Sequence, residues 1–201
     1  MTISLPLRTE DWGERLNEVH NEMRNEIRTA RLTLVPLGVE HAAELAGVLN
    51  DPALHAFIGG APETAAELRT RYARWAAGSS DPAVRWLNWA IRFDAAGALV
   101  GTVQATVDIA PAEQAGTAQT AVEGARAELA WVVGTAWQGR GFATEAARGL
   151  LAWLVENGVG TVRAHVHPAN TLSARVAAAL GLRPTGHQQD GEDEWAYTVS
   201  N

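Results

Sequence analysis

The chain reads as a mixed α/β protein in which one mostly antiparallel sheet is covered by helices on both faces. Three observations predict it. Two long apolar runs are joined by a tight turn near the middle. After them, strand and helix signals alternate. The helical stripes fall between strand signals rather than in one block. A chain of 201 residues suits a single domain large enough to bury a substantial core.

Taken in order, residues 9–28 place Trp12, Leu16, Val19, Met23 and Ile27 at three- and four-residue spacings, which predicts an amphipathic helix. That helix forms an extension over 1–29 ahead of a domain over 30–201. Its stripe docks on the domain or serves a homodimer. "RLTLVPL" predicts a strand ended by Pro36. "VEHAAELAGVLN" and "PETAAELRTRYARWAAG" predict two helices, the second with Pro62 early and Gly78 at its end. "RWLNWAIRF" and "ALVGTVQATVDI", joined at "DAAG", read as a hairpin with Asp94 and Gly97 in the turn. Residues 111–124 are small, polar and aperiodic, hence an exposed loop, and "RAELAWVV" is the next strand. Over 142–156, Phe142, Ala146, Leu150, Trp153 and Leu154 share one helical face, closing at Asn157-Gly158. "TVRAHVH" is a strand stopped by Pro168. "NTLSARVAAALG" is a helix capped by Asn170 and ended by Gly181, and "EWAYTVS" is a last strand.

Composition narrows the function classes. A net charge of −7 argues against binding nucleic acid through phosphate neutralisation. It suits a cationic partner such as an amine, or solubility alone. With no cysteine there is no disulfide framework, thiolate metal site or cysteine nucleophile. His165 and His167 share a strand face without a third ligand nearby, so they read as structural or exposed and no metal is expected. The N-terminal stretch has no apolar core behind basic residues, and no apolar run is long enough to span a membrane. A cytoplasmic protein without a membrane partner is the expectation. Four of the tryptophans, Trp75, Trp86, Trp89 and Trp131, fall near the central strands and read as core sooner than as substrate wall.

The informative stretch is "WQGRGFATEAARG", Trp137–Gly149, where glycines crowd a turn that opens a helix. The first amides of a helix lack intrahelical partners and its dipole adds positive charge there, so such a turn suits an anion, usually a phosphate. A P-loop needs lysine and then Ser or Thr at the helix start, but Phe142 follows Gly141. A dinucleotide fingerprint fails as well. Thr144 occupies the third glycine position, and no acidic residue for a ribose stands in "TVRAHVH".

What remains is Gln138-x-x-Gly141-x-Ala143 between a strand and a helix. This resembles the pyrophosphate signature of the GNAT N-acetyltransferases. The flanking "AELAWVVGTAWQGRGFATEA" and "NTLSARVAAALGL" are similar to the RimJ/RimL-type branch, which acetylates ribosomal-protein N-termini. The resemblance covers roughly residues 30–201. It implies acetyl-coenzyme A as co-substrate and a splayed strand pair that receives its pantetheine arm. It also implies a cradle of Gln138, Gly139, Arg140, Gly141, Phe142, Ala143 and Thr144 around the pyrophosphate. Val132 and Val133 match the positions whose backbone pairs with pantetheine, and Asn170 one that contacts that arm. Arg175 could reach a coenzyme phosphate or face solvent, and Arg140 is open in the same way.

Acetyl transfer to an amine requires that the amine lose a proton, that a donor meet the developing oxyanion, and that the thiolate depart. A backbone amide near Val133 can be the donor. Glu128, an acid within an apolar strand, is the candidate base on the expectation that burial raises its pKa, and it matches the glutamate of the family's strand. Its other reading is an outward residue on a solvated edge. Many family members carry a tyrosine where this chain has Ala177. Ser173 matches a serine of the RimJ/RimL-type branch and is the candidate contact for the sulfur. The function implied is direct acetyl transfer to a primary amine, on a peptide or protein N-terminus or a small molecule. A non-catalytic acyl-coenzyme A sensor and an enzyme for another acyl group are the alternatives.

Overall fold

The computed structural model describes residues 25–109 and 125–198. Eight strands form one sheet: β1 (Ile27–Arg28), β2 (Leu32–Pro36), β3 (Val84–Phe93), β4 (Ala98–Asp108), β5 (Ala125–Val133), β6 (Val159–Val166), β7 (Arg183–Gln189) and β8 (Glu192–Thr198). Their order is β1-β2-β3-β4-β5-β6-β8-β7, and β5 with β6 is the parallel pair in it. The helices are α1 (Ala42–Val48), α2 (Pro52–Ile58), α3 (Ala65–Ala76), α4 (Phe142–Glu156) and α5 (Thr171–Ala179).

Alternation along the strands sorts the side chains into two layers. Leu87, Trp89 and Ile91 of β3, Val103, Ala105 and Val107 of β4, and Ala127, Leu129 and Val133 of β5 join Phe142, Ala146, Leu150 and Leu154 of α4 in the main core. On the opposite face, Ala42 and Leu45 of α1 and Leu68 and Tyr72 of α3 close over Ala90 and Leu99 in a smaller cluster. The β3–β4 hairpin turns as expected, with Gly97 at φ +65. Of the expected amphipathic helix, residues 9–24 lie outside the described residues. Ile27 and Arg28, at its end, are not helical: they pair with Leu34 and Thr33 as a sheet edge. The loop over 111–124 also lies outside the described residues.

Two elements have no counterpart in the sequence reading. Helix α2 is seven residues long, begun by Pro52 and capped by Asp51, whose carboxylate accepts from the Ala53 amide. It is too short to show a stripe. Strand β7 is exposed along its whole length and shows no alternation. Helix α3 begins at Ala65, later than Pro62. Thr64 and Glu67 there exchange the reciprocal bonds of a capping box.

One contact fixes how β4 and β5 cross. A Cβ at Gly101 would overlap the Val132 carbonyl oxygen, so that carbonyl points toward β4. Gly134 continues on the same side, its amide donating to the Val100 carbonyl at 2.9 Å. Gly101→Ala should therefore force the strands apart and lower stability by about 1–3 kcal/mol, the usual cost of overpacking. Urea denaturation checks it, an unchanged midpoint being the contrary result.

Candidate functional site

Strands β5 and β6 run side by side only as far as Glu128 and Arg163, where their pairing ends. Beyond that point β5 continues to Val133, still paired to β4 up to Gly101, and β6 continues to Val166 paired to β8. The two strands therefore splay, and the wedge between them is the mouth of a cleft. Because the Val132 carbonyl faces β4, alternation turns the backbone groups of Trp131 and Val133 into the wedge. Unpaired strand backbone of this kind needs a partner. The expectation for Val132 is corrected accordingly: its backbone is committed to β4, its side chain lines the cleft, and Trp131 takes its place beside Val133. The Val133 carbonyl accepts from Nε2 of Gln138 at 3.0 Å, so that side chain ties the cradle to the end of β5.

Two cavities share the wedge. One, of about 290 Å³, runs from Trp131, Val132 and Val133 to the turn before α4, where Gln138, Gly139, Gly141, Phe142, Ala143 and Thr144 line it, with Arg175 on the α5 side. Gly139 and Gly141 have φ +73 and +78, a left-handed backbone that side chains rarely adopt, and Gly141 is the N-cap of α4. The turn thus leads the chain into the helix with its first amides directed outward. Arg140 is the member of the expected cradle that does not line this cavity. Its guanidinium lies 5.0 Å from the Trp137 ring centroid and donates to the Ala136 carbonyl.

The second cavity, about 270 Å³, extends from the same wedge toward Glu128, Thr102, Gln104, His165 and Glu192. Phe57, Ile58, Trp131, Val132, Asn170 and Ser173 line both. Asn170 caps α5 through its Oδ1, which accepts from the Ser173 amide at 3.1 Å, so capping and lining coincide in one residue. Trp89, in contrast, is core, and Trp75 and Trp86 border a separate cavity of about 500 Å³ beside β3. Neither tyrosine lines the cleft. Tyr72 is buried against Trp75, and that burial pushes its hydroxyl up to about 12.

Glu128 departs from its expected environment. Its neighbours Ala127 and Leu129 point into the core, so alternation sends Glu128 to the other face, where its side chain is 57% exposed. The burial expected of it is absent. It has a partner instead: its Oε1 lies 3.1 Å from Nδ1 of His165 on β6, the residue read from sequence as structural or exposed. Spacing along the chain could not reveal this pair, because the parallel register of β5 and β6 creates it.

Arg31 is a second site residue that the sequence reading missed. Glu145 stands in the first turn of α4, close to where phosphates would bind. It accepts from Thr29 Oγ1 at 2.6 Å and from the backbone amide and Nε of Arg31, each at 2.7 Å. Arg31 also stands 4.9 Å over the Phe142 ring, and its Nη2 lies 3.5 Å from where a Gly141 Cβ would be. The clip neutralises the one acid of the helix start and holds that start against the β1–β2 turn. Burial alone would raise the Glu145 carboxyl, but the bonds from Thr29 and Arg31 outweigh it and hold it below the usual carboxylate range.

Among the described residues no group of three or more acidic, histidine or cysteine side chains could hold a metal ion, and no helix is long and apolar enough to cross a membrane.

A family model for the acetyltransferase (GNAT) domain matches residues 31–183. Solved structures share the fold at low identity. An α-N-protein acetyltransferase of ribosomal L7/L12, RimL, in complex with coenzyme A, superposes with a TM-score of 0.68 at 15% identity, over 87% of this chain and 98% of that one. The ribosomal-protein-S5-alanine acetyltransferase of Vibrio fischeri gives 0.64 at 13% identity, over 87% and 96%. The microcin C7 self-immunity acetyltransferase MccE, in complex with acetyl-CoA and AMP, gives 0.64 at 15% identity, over 85% and 93%. No curated protein matches the chain significantly.

A depressed carboxyl contributes stability above its unfolded pKa and loses it as pH falls through the folded value. Glu145→Gln should therefore lower the melting temperature at pH 7 by roughly 3–10 °C. The gap to the parent protein should close as pH drops from about 5 toward 3. Calorimetry at pH 7 and pH 3.5 tests this, and a gap independent of pH refutes it.

Proposed function

The chain belongs to the GNAT acetyltransferase family and is an acetyl-coenzyme A-dependent N-acetyltransferase; on that premise we propose that it carries acetyl groups directly to a cationic primary amine, on a peptide N-terminus or a small molecule. The observation that supports this most is the continuity of the cleft from the glycine turn to the Glu128 carboxylate through one wedge.

The residues present fit the coenzyme. Positive φ at Gly139 and Gly141, with no atom within 3.4 Å of where either Cβ would stand, leaves the cradle open to phosphate oxygens. The amides of Phe142, Ala143 and Thr144 would hold the pyrophosphate at the positive end of α4. Arg175 would add charge nearby, and the backbone of Trp131 and Val133 would receive the pantetheine arm as an added strand. The coenzyme supplies the thioester whose carbonyl the amine attacks.

The chain's own residues then have separable tasks. The Val133 amide is a rigid donor for the charge that develops on the carbonyl oxygen, at no cost in reorganisation. Glu128, with Glu192 beside it, draws an ammonium into the second cavity and receives its proton. Ser173, at the junction of the two cavities, stands where a hydroxyl could meet the sulfur. A free thiol ionises near 8.5, so the leaving group needs little protonation. Direct transfer is the economical route, because no cysteine exists to hold an acetyl group. The acidic wall fits a protein N-terminus and a small cationic amine alike, and the cytoplasm is the compartment where such acceptors and acetyl-coenzyme A meet.

Two measurements test the reading. Thiol release from acetyl-coenzyme A, assayed against unblocked and blocked peptides and a panel of small amines, should respond to free primary amines and not to blocked ones. Release unaffected by any amine would remove the transferase reading. Gly141→Glu should weaken coenzyme A binding at least about 100-fold in calorimetry, through strained backbone and negative charge beside phosphates. Gly141→Ala, which adds bulk without charge, should weaken it less. Equal affinity in all three proteins would place the pyrophosphate elsewhere.

A further inference from the structure

Glu128 is exposed, and a carboxylate in water is a poor proton acceptor from an ammonium. The structure sets an imidazole directly behind it. His165 is 12% exposed and lines the acceptor cavity from β6. Its Nδ1 faces Glu128 Oε1 at 3.1 Å, and its Nε2 lies 4.0 Å from Oε2 of Glu194 on β8. Glu194 is itself fixed by Arg163 Nη1 at 2.8 Å and by the Thr185 hydroxyl at 2.9 Å. The ring therefore stands between two carboxylates, one exposed at the cavity and one anchored in the sheet.

We propose that Glu128 and His165 form a proton relay in which His165, braced by Glu194, takes up the proton of the acceptor ammonium through Glu128. The proposal rests on the transferase reading above. The relay uses the tautomer that carries its hydrogen on Nε2, so that Nδ1 accepts from Glu128 whenever that carboxyl holds a proton. The ammonium gives one proton to a Glu128 oxygen, and that carboxyl passes a proton to Nδ1. The products are a neutral amine with a free lone pair, a carboxylate and an imidazolium. After transfer the proton leaves by the same path, since Glu128 opens to solvent.

Chemistry and position both favour this arrangement over Glu128 alone. A free imidazole titrates near 6.5 and a free glutamate near 4.3, so the imidazole is roughly a hundredfold better proton acceptor. The groups facing the ring are Glu128 from β5, Arg163 from β6 and Glu194 from β8, with Glu192 at the cavity wall and His187 of β7 reaching Glu194 at 3.8 Å. Arg163 and Glu194 offset each other at 2.8 Å, which leaves Glu128 as the uncompensated charge facing the ring. His167, two residues on, is engaged otherwise: its Nδ1 accepts from the Ala169 amide at 3.1 Å, and its ring lies 5.6 Å from that of Phe57.

Because His165 acts through Glu128, the test needs readouts that a structural role would not move. With the amine that turns over best, His165→Gln should lower kcat/KM about 100-fold at pH 7 while coenzyme A affinity stays within about twofold. The acid limb of its pH–rate profile should move from the imidazole range toward the carboxylate range. Histidine-selective NMR of the intact protein gives a second, activity-free reading. The His165 ring-nitrogen signals at fixed pH should move in Glu128→Gln, because the carboxylate facing Nδ1 has been replaced. A His165→Gln profile matching the parent in height and shape overturns the relay and leaves the transferase reading standing. Unmoved His165 ring-nitrogen signals in Glu128→Gln overturn it even where His165→Gln fails to fold. A parent protein that binds coenzyme A and acetylates no amine overturns both.

Discussion

The structure depends on the point at which β5 and β6 stop pairing. Upstream, the register from Ala125 with Val159 to Glu128 with Arg163 completes an ordinary parallel pair, closed on one face by α4. Downstream, each strand keeps its outer neighbour and gives up the inner one. Unsatisfied strand backbone is costly where water is excluded, so the wedge persists only because other groups hold its walls. Gly101 lets β4 press against β5, Gln138 takes the Val133 carbonyl, and the β6–β8 ladder keeps the far wall straight. A site for an extended ligand follows from a hydrogen-bond pattern left incomplete at one place.

The two ends of that wedge are made by different means. At the coenzyme end the polar groups are backbone amides, set by glycine conformation and helix direction, with Arg31 and Glu145 compensating each other beside them. At the acceptor end the polar groups are side chains on successive strands: Gln104 on β4, Glu128 on β5 and His165 on β6. The first end recognises a shape common to all acyl-coenzyme A molecules. The second can vary while the first stays, and the proteins that share this fold carry different names: acetyltransferases of ribosomal L7/L12 and of S5-alanine, and one of microcin C7 self-immunity.

Much of this was legible in the amino-acid string, and the failures have physical causes. The glycine turn, the helix after it, the capping Asn170 and the hairpin could be read because their signals are local: a cap, a left-handed glycine, a stripe. Helix α2 was missed because seven residues cannot display a period, although Asp51 and Pro52 mark its start. Strand β7 was missed because neither of its faces is buried. The burial expected of Glu128 fails and its outward reading holds, since an acid among apolar residues in a strand points away from them, as alternation at Ala127 and Leu129 implies. Arg31 with Glu145 and Glu128 with His165 are separated by 114 and 37 positions, and only the sheet brings them together.

Phe57 and Ile58 on α2 and Leu172 on α5 stand on the lips of the cleft, and they make up three of the four large apolar side chains left exposed among the described residues. These side chains leave apolar surface at the mouth of the cleft, where a ligand can cover it. A bound thioester carrier would cover that surface and also stabilise the folded chain by mass action. The supply of acyl donor would thus bear on the folded state as well as on turnover, through the stability that a bound carrier adds.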